Sequence, residues 1–121
     1  MSERLAQVIE AELVLAADTN PAAVGAAVTI ELCGSTDHDG PCRWPHNNAF
    51  DSAGEPSRLR IVYVADAAEA DEVATRIEAS LRAADGWQVA EVERRPIAAA
   101  ERELAARLLT TPPPTEGSRR G

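Results

Sequence analysis

Residues 58–94 read RLRIVYVADAAEADEVATRIEASLRAADGWQVAEVER, and the fold is decided there. Arg58 to Ala65 is dense in β-branched and aromatic residues, which predicts a strand with Leu59, Ile61 and Tyr63 on one face and Val62 and Val64 on the other. With apolar side chains on both faces, the strand is expected to be covered on both sides. Asp66 followed three residues later by Glu69 has the form of a capping box, and Val73, Ile77 and Leu81 then recur every four residues through Ala84. This is the pattern of an amphipathic helix. Asp85-Gly86 ends it, and the alternation from Trp87 to Arg94 predicts a second strand.

Toward the N-terminus, Gln7 to Ala16 (QVIEAELVLA) alternates Ile9, Ala11, Leu13 and Leu15 with Glu10, Glu12 and Val14, the period of a half-buried strand. A helix with Leu5, Val8, Ile9, Leu13 and Ala16 on one face behind a Ser2 cap competes with it. The strand is preferred because Asp18-Thr19-Asn20-Pro21 sets three cap residues before a proline, a strong helix start, so a separate element must end before residue 18. That helix is predicted from Pro21 to Cys33, with Val24, Val28 and Leu32 as its apolar stripe and Gly34 as its stop. Residues 35–57 are rich in Gly, Pro, Asp, Asn and Ser and form a long connection, in which Asn48 to Asp51 is a candidate edge strand. At the other end, Pro96 is expected to open a last helix burying Ile97, Leu104 and Leu108, which Pro112, Pro113 and Pro114 stop.

The expected fold class is α+β: a ferredoxin-like βαββαβ sandwich with an inserted zinc-binding loop and an extra C-terminal helix. It requires the segment near Phe50 to pair; without that, a three-stranded α/β layer remains. The expected organisation is a single domain over residues 1–111, with a Cys/His loop at 33–57 and a disordered Pro-rich tail at 112–121. Among 121 residues, 45% are hydrophobic and 26% charged, which fits one globular core, although aromatic residues are only 3% and burial must come from Val, Ile, Leu and Ala.

Twenty acidic residues against 12 basic ones, all of them Arg, give a formal charge of −8. Such a field repels phosphate backbones, so nucleic acid is an unfavoured partner. No apolar run is long enough for a membrane helix, and the first residues lack the cationic start and apolar stretch of a secretion signal, so a cytoplasmic location is expected. There, thiols are kept reduced and cysteines serve as free thiols or metal ligands more often than as disulfides.

All the cysteines and histidines of the chain, two of each, fall within residues 33–46: CGSTDHDGPCRWPH. The spacing is C-x4-H-x3-C-x3-H, with Gly34, Gly40, Pro41 and Pro45 supplying turns between donors. Cys33, His38, Cys42 and His46 are therefore the candidate ligands of one structural Zn²⁺. Two thiolates and two neutral imidazoles would bring the site to net charge near zero. Asp37 and Asp39 flank His38 and are candidates to orient its ring, Trp44 to shield the thiolates and Arg43 to donate to them. Plain turn chemistry, loop anchoring and a solvated charge are the competing roles for these residues. A Cys33–Cys42 disulfide and unrelated packing roles remain as alternatives for the cluster itself.

The segment around 33–48, with HDGPCRWPH at its centre, resembles one in small uncharacterised proteins of GC-rich actinobacteria. The resemblance brings no established activity and implies no mechanism. Glycine-rich phosphate loops, the serine-hydrolase elbow and H-E-x-x-H are absent from the sequence. The expected function is a small zinc-binding domain that contacts a protein partner or another copy of itself, with the enzyme question left open and the missing motifs weighing against it. The alternative is an enzyme using the same loop, through an open zinc position or through Cys42 with His46 or His38 as base. A less favoured reading has Trp44 stacking on, and Arg43 contacting, single-stranded nucleic acid.

Overall fold

A computed structural model describes residues 3–33, 44–52, 54 and 56–110; the side chain of Cys33 is outside this set. In chain order the elements are β1 (Arg4–Leu15), α1 (Ala22–Cys33), β2 (His46–Asp51), β3 (Ser57–Asp66), α2 (Ala70–Ala83), β4 (Trp87–Arg95), a 3-10 turn (Ala99–Glu101) and α3 (Arg102–Thr110). The strands form one antiparallel sheet in the order β2-β3-β1-β4. The described residues are thus α+β, with four strands and three helices among them, an arrangement compatible with the ferredoxin-like class.

Residues 4–15 form a strand and not a helix, because the alternation places Ile9, Ala11 and Leu13 against the core while Glu10 and Glu12 turn to the opposite face. Ile9 lies opposite Ile61, so the central strands β1 and β3 meet core residue to core residue, whereas on the edge strand β2 the residue opposite Ile61 is the polar Asn48. Asn20 Oδ1 accepts the Ala22 N–H at 3.0 Å and opens α1. Thr19 Oγ1 donates to the Gly86 carbonyl at 2.8 Å, and the Ala16 N–H reaches the same oxygen at 2.9 Å. The turn before α1 is thereby joined to the turn before β4. A Cβ on Gly86 would sit 3.0 Å from Thr19, so glycine permits this approach.

α1 and α2 cover one face of the sheet. Val24, Val28 and Leu32 from α1, and Val73, Ile77 and Leu81 from α2, close over Leu59, Ile61 and Tyr63. The Trp87 indole N–H donates to the Leu81 carbonyl at 2.9 Å, and the Tyr63 hydroxyl to the Ala70 carbonyl at 3.3 Å, so both aromatic polar groups are paired where they are buried. Burial pushes the Tyr63 phenol above its ordinary pKa. The expectation that both faces of β3 are covered holds: Val8, Val62 and Val64 are buried on the second face, which α3 packs against.

Three expectations are corrected. Asp66 and Glu69 form no capping box: Asp66 closes β3, and Glu69, the residue before α2, makes no side-chain cap hydrogen bond. Its carboxylate instead accepts the Trp44 indole N–H at 3.2 Å, while the Glu69 backbone N–H bonds the Asp66 carbonyl at 2.8 Å. The irregular stretch does not run to residue 57, since β2 begins at His46 and pairs with β3 along its whole length. Nor does Pro96 open the last helix. Helical structure starts at Ala99, where the Glu101 carboxylate accepts the Ala98 N–H at 2.9 Å; Ile97, Leu104 and Leu108 are only partly buried, and Ala105 is the buried residue of α3. The expected tail at 112–121 lies outside the described residues.

Candidate metal centre

Of the four predicted ligands, His46 is the one whose side chain the structure describes. Cys33 is the last residue of α1, but its side chain lies outside the described residues, as do His38 and Cys42 and the neighbouring Asp37, Asp39 and Arg43. Among the described residues, no group of three or more His, Cys, Asp or Glu side chains is arranged to hold a metal ion. α1, the helix that ends at Cys33, packs against β2, the strand that opens with His46.

His46 occupies the helix-facing side of β2 because Tyr63, its partner on β3, is a core residue and residues in register share a face. Its Nδ1 is 3.2 Å from the Trp44 carbonyl oxygen, and its Nε2 is 3.2 Å from Thr29 Oγ1. Two residues along the same face, Asn48 Nδ2 donates to the Gly25 carbonyl at 3.2 Å and to Thr29 Oγ1 at 3.3 Å. The contact between α1 and β2 is thus polar: Thr29 is buried at 8% exposure, and Asn48 Oδ1 is a buried atom without a hydrogen-bond partner among the described residues.

This chemistry fits a metal-ligating histidine. A ring nitrogen bonded to a backbone carbonyl must carry the proton, which leaves the lone pair on the other nitrogen. In His46 the carbonyl is that of Trp44, so in the neutral ring the lone pair is on Nε2, where Thr29 Oγ1 already meets it at 3.2 Å.

Trp44 is an anchor. It is 6% exposed, its indole donates to Glu69, and the Arg76 guanidinium lies 5.1 Å from its ring centroid. Arg76 is in turn flanked by Glu72 at 3.5 Å and Glu31 at 4.0 Å. Trp44 therefore ties the residues leading into β2 to α2, which is the loop-anchoring role weighed above, and its shielding of thiolates falls on residues outside the described set. Sequence reasoning missed Thr29, Asn48 and Glu69. The available signal was polarity at inward positions: a threonine one residue after Val28 in an apolar helix, and an asparagine in phase with Phe50 on an edge strand.

Among the described residues, no helix is long and apolar enough to cross a membrane. No known protein family, curated protein or solved structure matches the chain.

Proposed function

We propose that this chain is a small cytoplasmic zinc-binding domain, a ferredoxin-like sandwich in which Cys33, His38, Cys42 and His46 form a structural Cys2His2 site within the connection from α1 to β2. Its role is that of a module binding a protein partner or a second copy of itself. The observation that carries this reading is the position of the outer two ligands. Cys33 stands one helical turn after Thr29, and the Thr29 hydroxyl is 3.2 Å from His46 Nε2, so a turn of α1, about 6 Å of rise, separates the backbone of one ligand from the residue touching the other. A metal would then close the connection where sequence offers turns in place of core residues. Four protein donors complete a tetrahedral shell, which leaves no position for substrate and supports a structural role over a catalytic one.

Native mass spectrometry of zinc-replete protein, before and after chelation, tests this. One zinc per chain, lost with chelator and lost in Cys42→Ser, is the expected result. A chain that retains no metal under replete conditions refutes the proposal.

A further inference from the structure

Asn48 and Thr29 spend hydrogen-bonding capacity in a place where apolar side chains would pack without penalty, and the direction of their bonds is fixed by what each partner can do. The Gly25 carbonyl can only accept, so the Asn48 atom facing it is the amide nitrogen, and that same amide donates to Thr29 Oγ1. The Trp44 carbonyl can also only accept, so His46 Nδ1 carries a proton. In the neutral ring Nε2 is then an acceptor, and the Thr29 hydroxyl, already accepting from Asn48, supplies the proton to it. The relay runs one way: Asn48 amide to Thr29 hydroxyl to His46 Nε2, with His46 Nδ1–H to Trp44 carbonyl at its far end.

We infer that Thr29, held by Asn48, is a positioning residue that fixes His46 in its Nδ1–H tautomer and presents Nε2 as the donor atom of this ring. For the identity of the bound ion the inference rests on the zinc reading above; for the ring it stands on the described geometry alone. A metal ion on Nε2 would take the place of the Thr29 hydroxyl: at the ordinary Zn–N distance of about 2 Å the ion cannot share that lone pair with Oγ1 at 3.2 Å, so the Thr29 side chain would have to rotate aside as the ion binds. Nδ1–H stays on the Trp44 carbonyl throughout, so the ring need not reorient. Asn48, through its second bond to the Gly25 carbonyl, keeps β2 seated on α1.

The test uses the full ¹⁵N-labelled chain. In metal-free protein, at a pH well above the ordinary imidazole range, two-bond ¹H–¹⁵N correlations assigned by their loss in His46→Gln should show His46 protonated at Nδ1. Thr29→Val should lower the ratio of the Nδ1–H to the Nε2–H form by about fivefold, the worth of one ordinary hydrogen bond. Thr29→Ser, which keeps the hydroxyl, should restore it. Equimolar zinc should then move the Nε2 resonance of the wild type and leave Nδ1 protonated. An Nε2–H ring in the metal-free wild type, a Thr29→Val chain with the wild-type ratio, or zinc arriving at Nδ1 overturns the inference. If no zinc is retained, the zinc reading fails by itself, and the tautomer ratios still decide the role of Thr29.

Discussion

Replacing Glu101 by Gln should loosen α3 from the sheet by an amount that depends on pH in a defined direction. Arg60 lies between the core residues Leu59 and Ile61 and so points to the second face, where its Nε and Nη2 donate to the two Glu101 oxygens at 2.6 and 2.8 Å. The side chains are 25% and 18% exposed, so solvent screens this pair less than an ordinary surface ion pair. Arg60 also reaches Glu10 at 3.0 Å and the Pro96 carbonyl at 3.3 Å, and it keeps these in the variant. The loss should therefore fall at the low end of what charge-assisted bonds contribute, about 1–2 kcal/mol. For a chain of this length that corresponds to a fall in Tm of roughly 5 °C. The Arg60 guanidinium holds the Glu101 carboxyl below its ordinary value of 4.5. A depressed carboxylate stabilises fully above its unfolded pKa and loses that contribution as pH falls through the folded value. The gap between wild type and Glu101→Gln should accordingly be complete at neutral pH and close under acid. Thermal melts across that range, with a double-mutant cycle against Arg60→Met, measure it. Identical melting temperatures at neutral pH, or a gap that persists in strong acid, would refute the assignment of Arg60–Glu101 as the clamp on α3.

Asp71 pairs with Arg94 at 2.7 Å but is 91% exposed, so Asp71→Asn should change stability by less than about 0.5 kcal/mol in urea titrations, despite the short distance. Ile61→Ala, at a fully buried position between β1 and β2, should cost about 3–4 kcal/mol by the same measurement. Trp44→Phe keeps an aromatic ring under Arg76 but loses the N–H bond to Glu69. It should cost about 1 kcal/mol, against about 3 kcal/mol or more for Trp44→Ala, and equal losses for the two would show that packing contributes nothing there. Chelation of zinc-replete protein should lower its Tm by several degrees and leave Cys42→Ser unaffected, since a ligand bound only by the folded chain stabilises it by mass action.

Elements whose hydrophobic period is strong and local are legible in the sequence. Leu59, Ile61 and Tyr63 announce β3, and Val73, Ile77 and Leu81 announce α2, because each pattern depends on residues two to four positions apart. The end of α2 and the start of α1 are legible for the same reason, since Asp85-Gly86 and Asn20-Pro21 act on their immediate neighbours. β2 is only partly legible: Phe50 and Asp51 suggest an edge strand, but His46 and Asn47 gain strand geometry from pairing with Tyr63 and Val62, which lie more than ten residues away. α3 is misplaced for a related reason. Pro96 is a favourable helix start locally, yet the Arg60 network fixes where this segment meets the sheet, and the helical turn begins only at Ala99.

For the candidate site, the sequence by itself determines the grouping of two cysteines and two histidines within residues 33–46, because that grouping is a property of order along the chain. Only the tertiary structure decides which ring nitrogen of His46 bears the proton and which residues stand behind it. Thr29, Asn48 and the Trp44 carbonyl come from a helix, a strand and a bend that share no local pattern, and they meet because the packing of α1 on β2 brings their dipoles into line.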